Sequence, residues 1–142
     1  MQALQYEPGA GVTELLLKCH QLEKELASAA DLTVDEFHCL VQLYVHAPCC
    51  VRSLREILGV NPTRTSKLLH DLEERGYLVR SLGYDDKRKE LLALTERGLS
   101  TARSILQSSA LSARRVLREL PEEVIRLLDE PPNPRGKAPE KN

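Results

Sequence analysis

In the middle of the chain, the spacing of hydrophobic and polar positions changes from one period to another. Apolar side chains recur every three or four positions in residues 51–58 and again in residues 62–75, as they do on one face of a helix. Apolar and polar residues then alternate in residues 77–82 and 90–94, which is the period of a strand. Gly59 separates the two helical segments. The pattern predicts a helix-turn-helix followed by a two-stranded hairpin, or wing.

The second predicted helix has a polar face that suits DNA. Asn61 can cap its free amide groups, and Pro62 fits a first turn, where a missing N–H costs nothing. One face is apolar and predicted to be core: Leu68, Leu69, Leu72 and Gly76. The other face carries Thr63, Ser66, Lys67 and His70, with Arg64 to one side. Hydroxyl and basic groups reach base edges and phosphates in the major groove, so we predict that these residues and Pro62 contact DNA.

The loop of the predicted hairpin is strongly charged. Lys87, Arg88 and Lys89 directly follow Asp85 and Asp86. Basic side chains on a hairpin tip suit the narrow minor groove because its negative potential attracts them. We predict that Arg88 enters the minor groove with Asp86 as its support, and that Lys87 and Lys89 contact phosphates. The alternative is a solvated loop on which Arg88 only pairs with Asp86.

Four segments of this region together resemble the MarR family of bacterial transcriptional regulators. They are residues 60–69 (VNPTRTSKLL), 72–78 (LEERGYL), 86–88 (DKR) and 94–98 (LTERG), and the resemblance extends over residues 12–129. It implies that Thr63, Ser66 and Lys67 lie in the major groove and that Arg88, steadied by Asp86, enters the minor groove. It also implies a homodimer with interleaved chain ends that represses transcription from a pseudo-palindromic operator on double-stranded DNA.

The flanking segments are predicted to be helical. Apolar residues recur at helical spacing in residues 12–30, and Thr33 and Glu36 have the spacing of a capping box. A long helix begins after Thr95, and a short one follows Pro121. We expect residues 12–30 and 96–130 to form dimerisation helices around a winged helix-turn-helix at residues 33–95, because each has more apolar surface than one small domain can cover. The Pro-rich segment 131–142 is expected to be a disordered tail.

Composition supports one mostly helical domain spanning residues 1–142. Aromatic residues make up 4% of the chain and Trp is absent, so the core must consist of aliphatic side chains. The predicted fold class is mostly α with a small two-stranded β wing. Residues 51–90 carry 9 basic and 7 acidic side chains, whereas residues 1–50 carry 2 and 7. The predicted DNA-binding part is thus the more basic, and binding should depend on a few placed contacts.

The four cysteines allow two interpretations. Cys49 and Cys50 are adjacent at the entrance to the helix-turn-helix, and Cys19 and Cys39 could meet His20, Glu23 and His38 if the first two helices pack together. Such an arrangement would suit a redox or metal sensor. Cys19 and Cys39 also fall on apolar stripes, where cysteine serves as a small hydrophobic residue, and no metal-binding motif is present. We therefore predict buried thiols, with no cofactor and no metal.

The sequence argues against catalysis. It contains no Gly-rich phosphate loop and no nucleophile motif, and Asp85 and Asp86 are neighbours on a loop rather than partners across a cleft. We expect a cytoplasmic protein without a membrane segment, because no apolar run or leader is present. A small-molecule effector is expected in an apolar-lined pocket between the dimerisation helices and the winged module. The alternatives are a thiol- or metal-gated repressor and a winged helix used for protein interaction.

Overall fold

The structure is a computed structural model, and it describes residues 9–82 and 89–129. These residues form six helices and three strands in the following order: α1 Ala10–Ala29, α2 Val34–His46, β1 Cys49–Cys50, α3 Val51–Leu58, α4 Pro62–Glu74, β2 Leu78–Leu82, β3 Glu90–Leu94, α5 Glu96–Arg118 and α6 Glu122–Asp129. The predicted fold class is confirmed. The expected tail at residues 131–142 and the tip residues 83–88 lie outside the described residues. None of the described helices is both long and apolar enough to cross a membrane.

Side chains fix the points at which the helices begin. The Thr33 hydroxyl accepts a hydrogen bond from the amide of Glu36 at 3.2 Å, and the Glu36 carboxylate accepts one from the amide of Thr33 at 3.0 Å. This capping box confirms the one predicted for α2. Thr95 caps α5 in a related way, since its hydroxyl accepts a hydrogen bond from the amide of Gly98 at 3.1 Å.

The sheet has three strands rather than the predicted two. Its order is β1-β3-β2, with both pairs antiparallel. Cys49 lies opposite Leu92 on one side of β3, and Leu78 lies opposite Leu94 on the other. The prediction missed β1 because two residues are too short to show a period. These residues become a strand through pairing with β3, which is remote in sequence.

The core lies where α2, α3 and α4 meet the sheet. Its fully buried side chains are almost all leucines, contributed by each of these elements: Leu40, Leu43, Leu54, Leu69, Leu72, Leu78 and Leu92. Two residues are not part of it: Ile57, which fits the apolar period of residues 51–58, and Gly76, which was predicted to be core. Ile57 remains 43% exposed because it lies on the outer side of α3. Gly76 follows the end of α4, is exposed, and adopts a φ of 77°, which favours glycine and turns the chain into β2.

The junction between α4, β2 and α5 depends on close backbone contact at Gly98. The Thr95 amide donates a hydrogen bond to the carbonyl of Tyr77 at 3.1 Å, and the Thr95 hydroxyl donates one to the carbonyl of Gly76 at 2.6 Å. These bonds bring the first turn of α5 against Tyr77. A Cβ atom at position 98 would overlap the Tyr77 carbonyl oxygen, so only glycine fits there.

We predict that Gly98→Ala destabilises the protein. Alanine normally stabilises a helix relative to glycine by about 1 kcal/mol. Here the added methyl group must push α5 away from backbone, which should lower the free energy of unfolding by about 2 kcal/mol. Urea denaturation would measure the change, with Ser100→Ala, at an exposed position of the same helix, as the control. Equal or greater stability of Gly98→Ala would contradict the proposed contact.

Candidate nucleic-acid interface

Helix α4 is held by its apolar face and its cap. The Asn61 side chain accepts a hydrogen bond from the amide of Arg64 at 2.8 Å, and Pro62 occupies the first turn. Leu68, Leu69 and Leu72 are buried, as predicted, and so is Thr65. The Thr65 hydroxyl donates to the carbonyl of Asn61 at 2.8 Å, which satisfies this polar group inside the core. The helix therefore has one fixed orientation relative to α2 and α3.

The opposite face of α4 is exposed and polar. The side chains predicted to contact DNA from this helix are all exposed: Pro62, Thr63, Arg64, Ser66, Lys67 and His70. Together they place hydroxyl groups, two basic groups and an imidazole on the exposed surface of a helix, and a helix is an element that fits the major groove. The acidic residues Glu73 and Glu74 lie at the far end, in the last turn.

Arg64 is already engaged within the protein. Its guanidinium group donates to a carboxylate oxygen of Asp35 in the first turn of α2, although the arginine side chain is 64% exposed. No local spacing indicates this pair, because the two residues are 29 positions apart. A contact between Arg64 and a phosphate would compete with this ion pair.

The wing is described by its strands. Positions from Leu78 to Leu82 pair with positions from Leu94 to Glu90, which confirms the predicted hairpin. Lys89 is exposed just before β3. The other predicted wing residues, Asp86, Lys87 and Arg88, lie outside the described residues, and their roles stay predictions.

The cysteines differ in burial and in the pKa of their thiols. Cys39 is completely buried, and burial raises the pKa of its thiol to about 12. Burial also raises the pKa of Cys49. Cys50 caps α3: its sulfur lies 3.1 Å from the Ser53 hydroxyl and 3.5 Å from the Ser53 amide, and these hydrogen bonds lower the pKa of its thiol. Cys19 is exposed and Cys49 and Cys50 are only partly buried, so the prediction of buried thiols is wrong for these three and confirmed for Cys39.

The predicted meeting of α1 and α2 occurs around a carboxylate instead of a thiol. The Glu23 carboxylate lies 3.4 Å from Nε2 of His38 and 3.8 Å from Nδ1 of His20. It forms an ion pair with either imidazole ring only when that ring carries a proton on both nitrogens. Across residues 9–82 and 89–129, no three histidine, cysteine or acidic side chains are grouped so that they could hold a metal ion. The metal-gated alternative therefore gains no support from these residues.

A cavity of about 470 Å³ lies between α1, α2 and the end of α4. Polar groups of Lys24, Asp31, Glu36 and Arg75 line it beside Leu32 and smaller residues, so it is more polar than the pocket expected from the sequence. Arg75 bonds to the Glu36 carboxylate at 3.0 Å and to the Asp31 carbonyl at 2.6 Å. The cavity thus borders the contacts that join α4 to the first two helices.

Comparison with known sequences agrees with this architecture. A model of the MarR family matches residues 32–89, which contain the helix-turn-helix and strand β2 of the wing. An uncharacterized HTH-type transcriptional regulator from Bacillus cereus is 33% identical over 79 residues, which are 56% of this chain and 52% of that protein. The chain therefore spans about half the length of the curated relatives it matches.

Solved structures share the fold. A variant of MarR from E. coli, complexed with operator DNA, has a TM-score of 0.70 at 24% identity and covers 85% of this chain and 88% of its own. CouR from Rhodococcus jostii RHA1, bound to p-coumaroyl-CoA, has a TM-score of 0.72 at 24% identity and covers 91% of both chains. Sequence match and fold agree with the residue pattern of α4 and the wing: residues 32–89 are similar to the MarR family, and the described residues share the winged helix-turn-helix fold of MarR.

Proposed function

We propose that the chain is a homodimeric, sequence-specific DNA-binding regulator that represses transcription from a pseudo-palindromic operator and responds to a small-molecule effector. The observation that carries this proposal is the division of α4 into a buried leucine face and an exposed face of Thr63, Ser66, Lys67 and His70. A fixed helix with a solvent-facing polar side is what major-groove recognition requires.

The two ends of the α4 face have different roles. Thr63, Ser66 and Lys67 lie in the first two turns, where a recognition helix reaches base edges. Glu73 and Glu74 in the last turn would repel phosphate, so this end must lie away from the DNA backbone. The likeness to a MarR variant complexed with operator DNA supports DNA binding by this fold.

Exposed apolar side chains on α1 and α5 support a dimer. Leu16 on α1 is 63% exposed, and Leu111 and Leu117 on α5 are 69% and 61% exposed. They lie on the two helices that flank the winged helix-turn-helix. Two ion pairs join these helices: Lys18 pairs with Glu119, and Arg115 pairs with Glu25. Burial of such residues against a second copy would remove apolar surface from water and place two α4 helices on successive major grooves.

Regulation can follow from the cavity beside Arg75. A ligand there would touch residues that tie the end of α4 to Asp31 and Glu36, and could therefore change the spacing between the two recognition helices. CouR, which shares this fold, was solved bound to p-coumaroyl-CoA. The polar lining of the cavity in this chain favours an effector with charged or hydrogen-bonding groups.

We predict distinct effects for substitutions on the helix and on the wing. Thr63→Ala and Lys67→Ala should relax sequence preference, with a loss of about 1–3 kcal/mol on the best site, because they remove contacts in the major groove. Arg88→Ala should weaken binding without unfolding the chain. Selection of bound fragments from genomic DNA followed by electrophoretic shift assays would measure both effects.

The control for these variants is Arg126→Ala, at an exposed position on α6 that pairs with Glu122. It removes one positive charge remote from α4 and should leave sequence preference unchanged. Wild-type affinity and footprint in all three DNA variants would contradict the proposed function.

We also predict that Asp35→Asn strengthens DNA binding. Without the ion pair, Arg64 is free to contact a phosphate, so the affinity should rise and the slope of log affinity against log salt should steepen by about two units for the dimer, about one for each Arg64. Titration at several salt concentrations would measure it. Asp129→Asn, which removes the same charge at the end of α6, is the matched control, and equal behaviour of the two variants would show that Asp35 does not restrain Arg64.

A further inference from the structure

Arg80 on β2 joins three elements of the winged module. Its Nε lies 2.7 Å from Oε2 of Glu73 on α4, and one terminal nitrogen lies 3.5 Å from Oε2 of Glu90 on β3. The arginine side chain is 27% exposed, whereas its two partners are nearly half exposed. A single guanidinium group thus links the last turn of α4 to both strands of the wing.

The contact with Glu73 is a charge interaction more than an aligned hydrogen bond. The Nε atom is buried and has no hydrogen-bond partner of good geometry within the described residues, although the Glu73 oxygen is close. A partly exposed ion pair of this kind contributes little to stability. Contact with two carboxylates on different elements nevertheless restricts where the guanidinium group can lie.

The wing needs such support because its core contacts end early. Leu78 and Leu92 are fully buried, but Val79 is 49% exposed and Leu82, at the far end of β2, is 65% exposed. Hydrophobic packing therefore anchors the base of the hairpin and not its outer half. Arg80 lies two residues beyond the last buried position of β2, where the hairpin leaves the core.

We propose that Arg80 is a positioning residue for DNA binding, because its pairs with Glu73 and Glu90 fix the angle between α4 and the wing so that both meet DNA together. The proposal rests on the proposed function. It assigns no DNA contact to Arg80 itself. It also gives Glu73 a role that its charge alone would not suggest.

Two possible roles of Glu73, repulsion of DNA and positioning of Arg80, predict opposite effects of Glu73→Ala on DNA binding. If Glu73 acted only through its negative charge near DNA, Glu73→Ala would reduce repulsion and tighten binding. If Glu73 holds Arg80, the same substitution releases the wing and weakens binding. Alanine is a good helix former. Removal of an acidic side chain from the last turn also removes its unfavourable interaction with the helix dipole, so α4 should stay intact.

The experiment compares Glu73→Ala with Glu74→Ala in the full chain. Glu74 is the neighbouring exposed acid on α4 and provides the same change of charge. DNA is first selected from a random library with the wild-type protein, and each variant is then measured on the selected site by fluorescence anisotropy. We expect about tenfold weaker binding for Glu73→Ala, equivalent to about 1.4 kcal/mol, and unchanged or tighter binding for Glu74→Ala.

A second arm separates positioning from general destabilisation. Arg80→Ala should weaken binding at least as much as Glu73→Ala does, and the double variant should be no weaker than Arg80→Ala, because Arg80→Ala already removes the link to Glu73. Repeated selection should show reduced preference at the outer base pairs of the site and unchanged preference at those read by α4. Thermal unfolding should stay close to wild type.

The outcomes distinguish this inference from the proposed function. Glu73→Ala binding as tightly as Glu74→Ala, or additive losses in the double variant, would overturn the positioning role while DNA binding stands. If the wild-type protein selects no DNA sequence from the library, the proposed function fails, and the positioning role fails with it.

Discussion

Burial of one side of α4 determines which of its residues face solvent. Leu68, Leu69 and Leu72 enter the core with residues of α2, α3 and the sheet, so the helix cannot rotate without exposing them. Thr65 is buried beside them and hydrogen-bonded to Asn61, which fixes the first turn as well. Because the apolar side is fixed, the polar side that begins at Thr63 must face solvent, where DNA can reach it.

Ion pairs then attach α4 to its neighbours at three points. Arg64 pairs with Asp35 at the start of α2, Arg75 bonds to Asp31 and Glu36 at the other end of α4, and Glu73 meets Arg80 on the wing. Charged contacts of this type are individually weak but directional. They give α4 an orientation that a ligand in the neighbouring cavity or a change in the α1–α2 region could alter. In the proposed function, affinity for DNA would respond through these contacts.

Local sequence signals predicted most of the helices and their caps. The capping box of Thr33 and Glu36, the start of α4 at Asn61 and Pro62, and the start of α5 at Thr95 all depend on residues within one helical turn of each other, so a single stretch of sequence contains the signal. The exposed face of α4 was predictable for the same reason.

Features that join remote residues could not be predicted in this way. Strand β1 exists because Cys49 and Cys50 pair with β3, and two residues have no period of their own. The pairs of Arg64 with Asp35 and of Arg80 with Glu73 depend on how helices and strands pack, not on any local spacing. Ile57 fits the apolar period of α3 but lies where no described element covers it.

In the proposed function, two copies of α4 read successive turns of one operator. Sedimentation of the complex with a selected operator, combined with hydroxyl-radical footprinting of both DNA strands, tests this arrangement. We expect two chains per operator and two protected segments about 34–36 Å apart, one turn of the double helix. A complex with a single chain, or one protected segment without a symmetric partner, would contradict it.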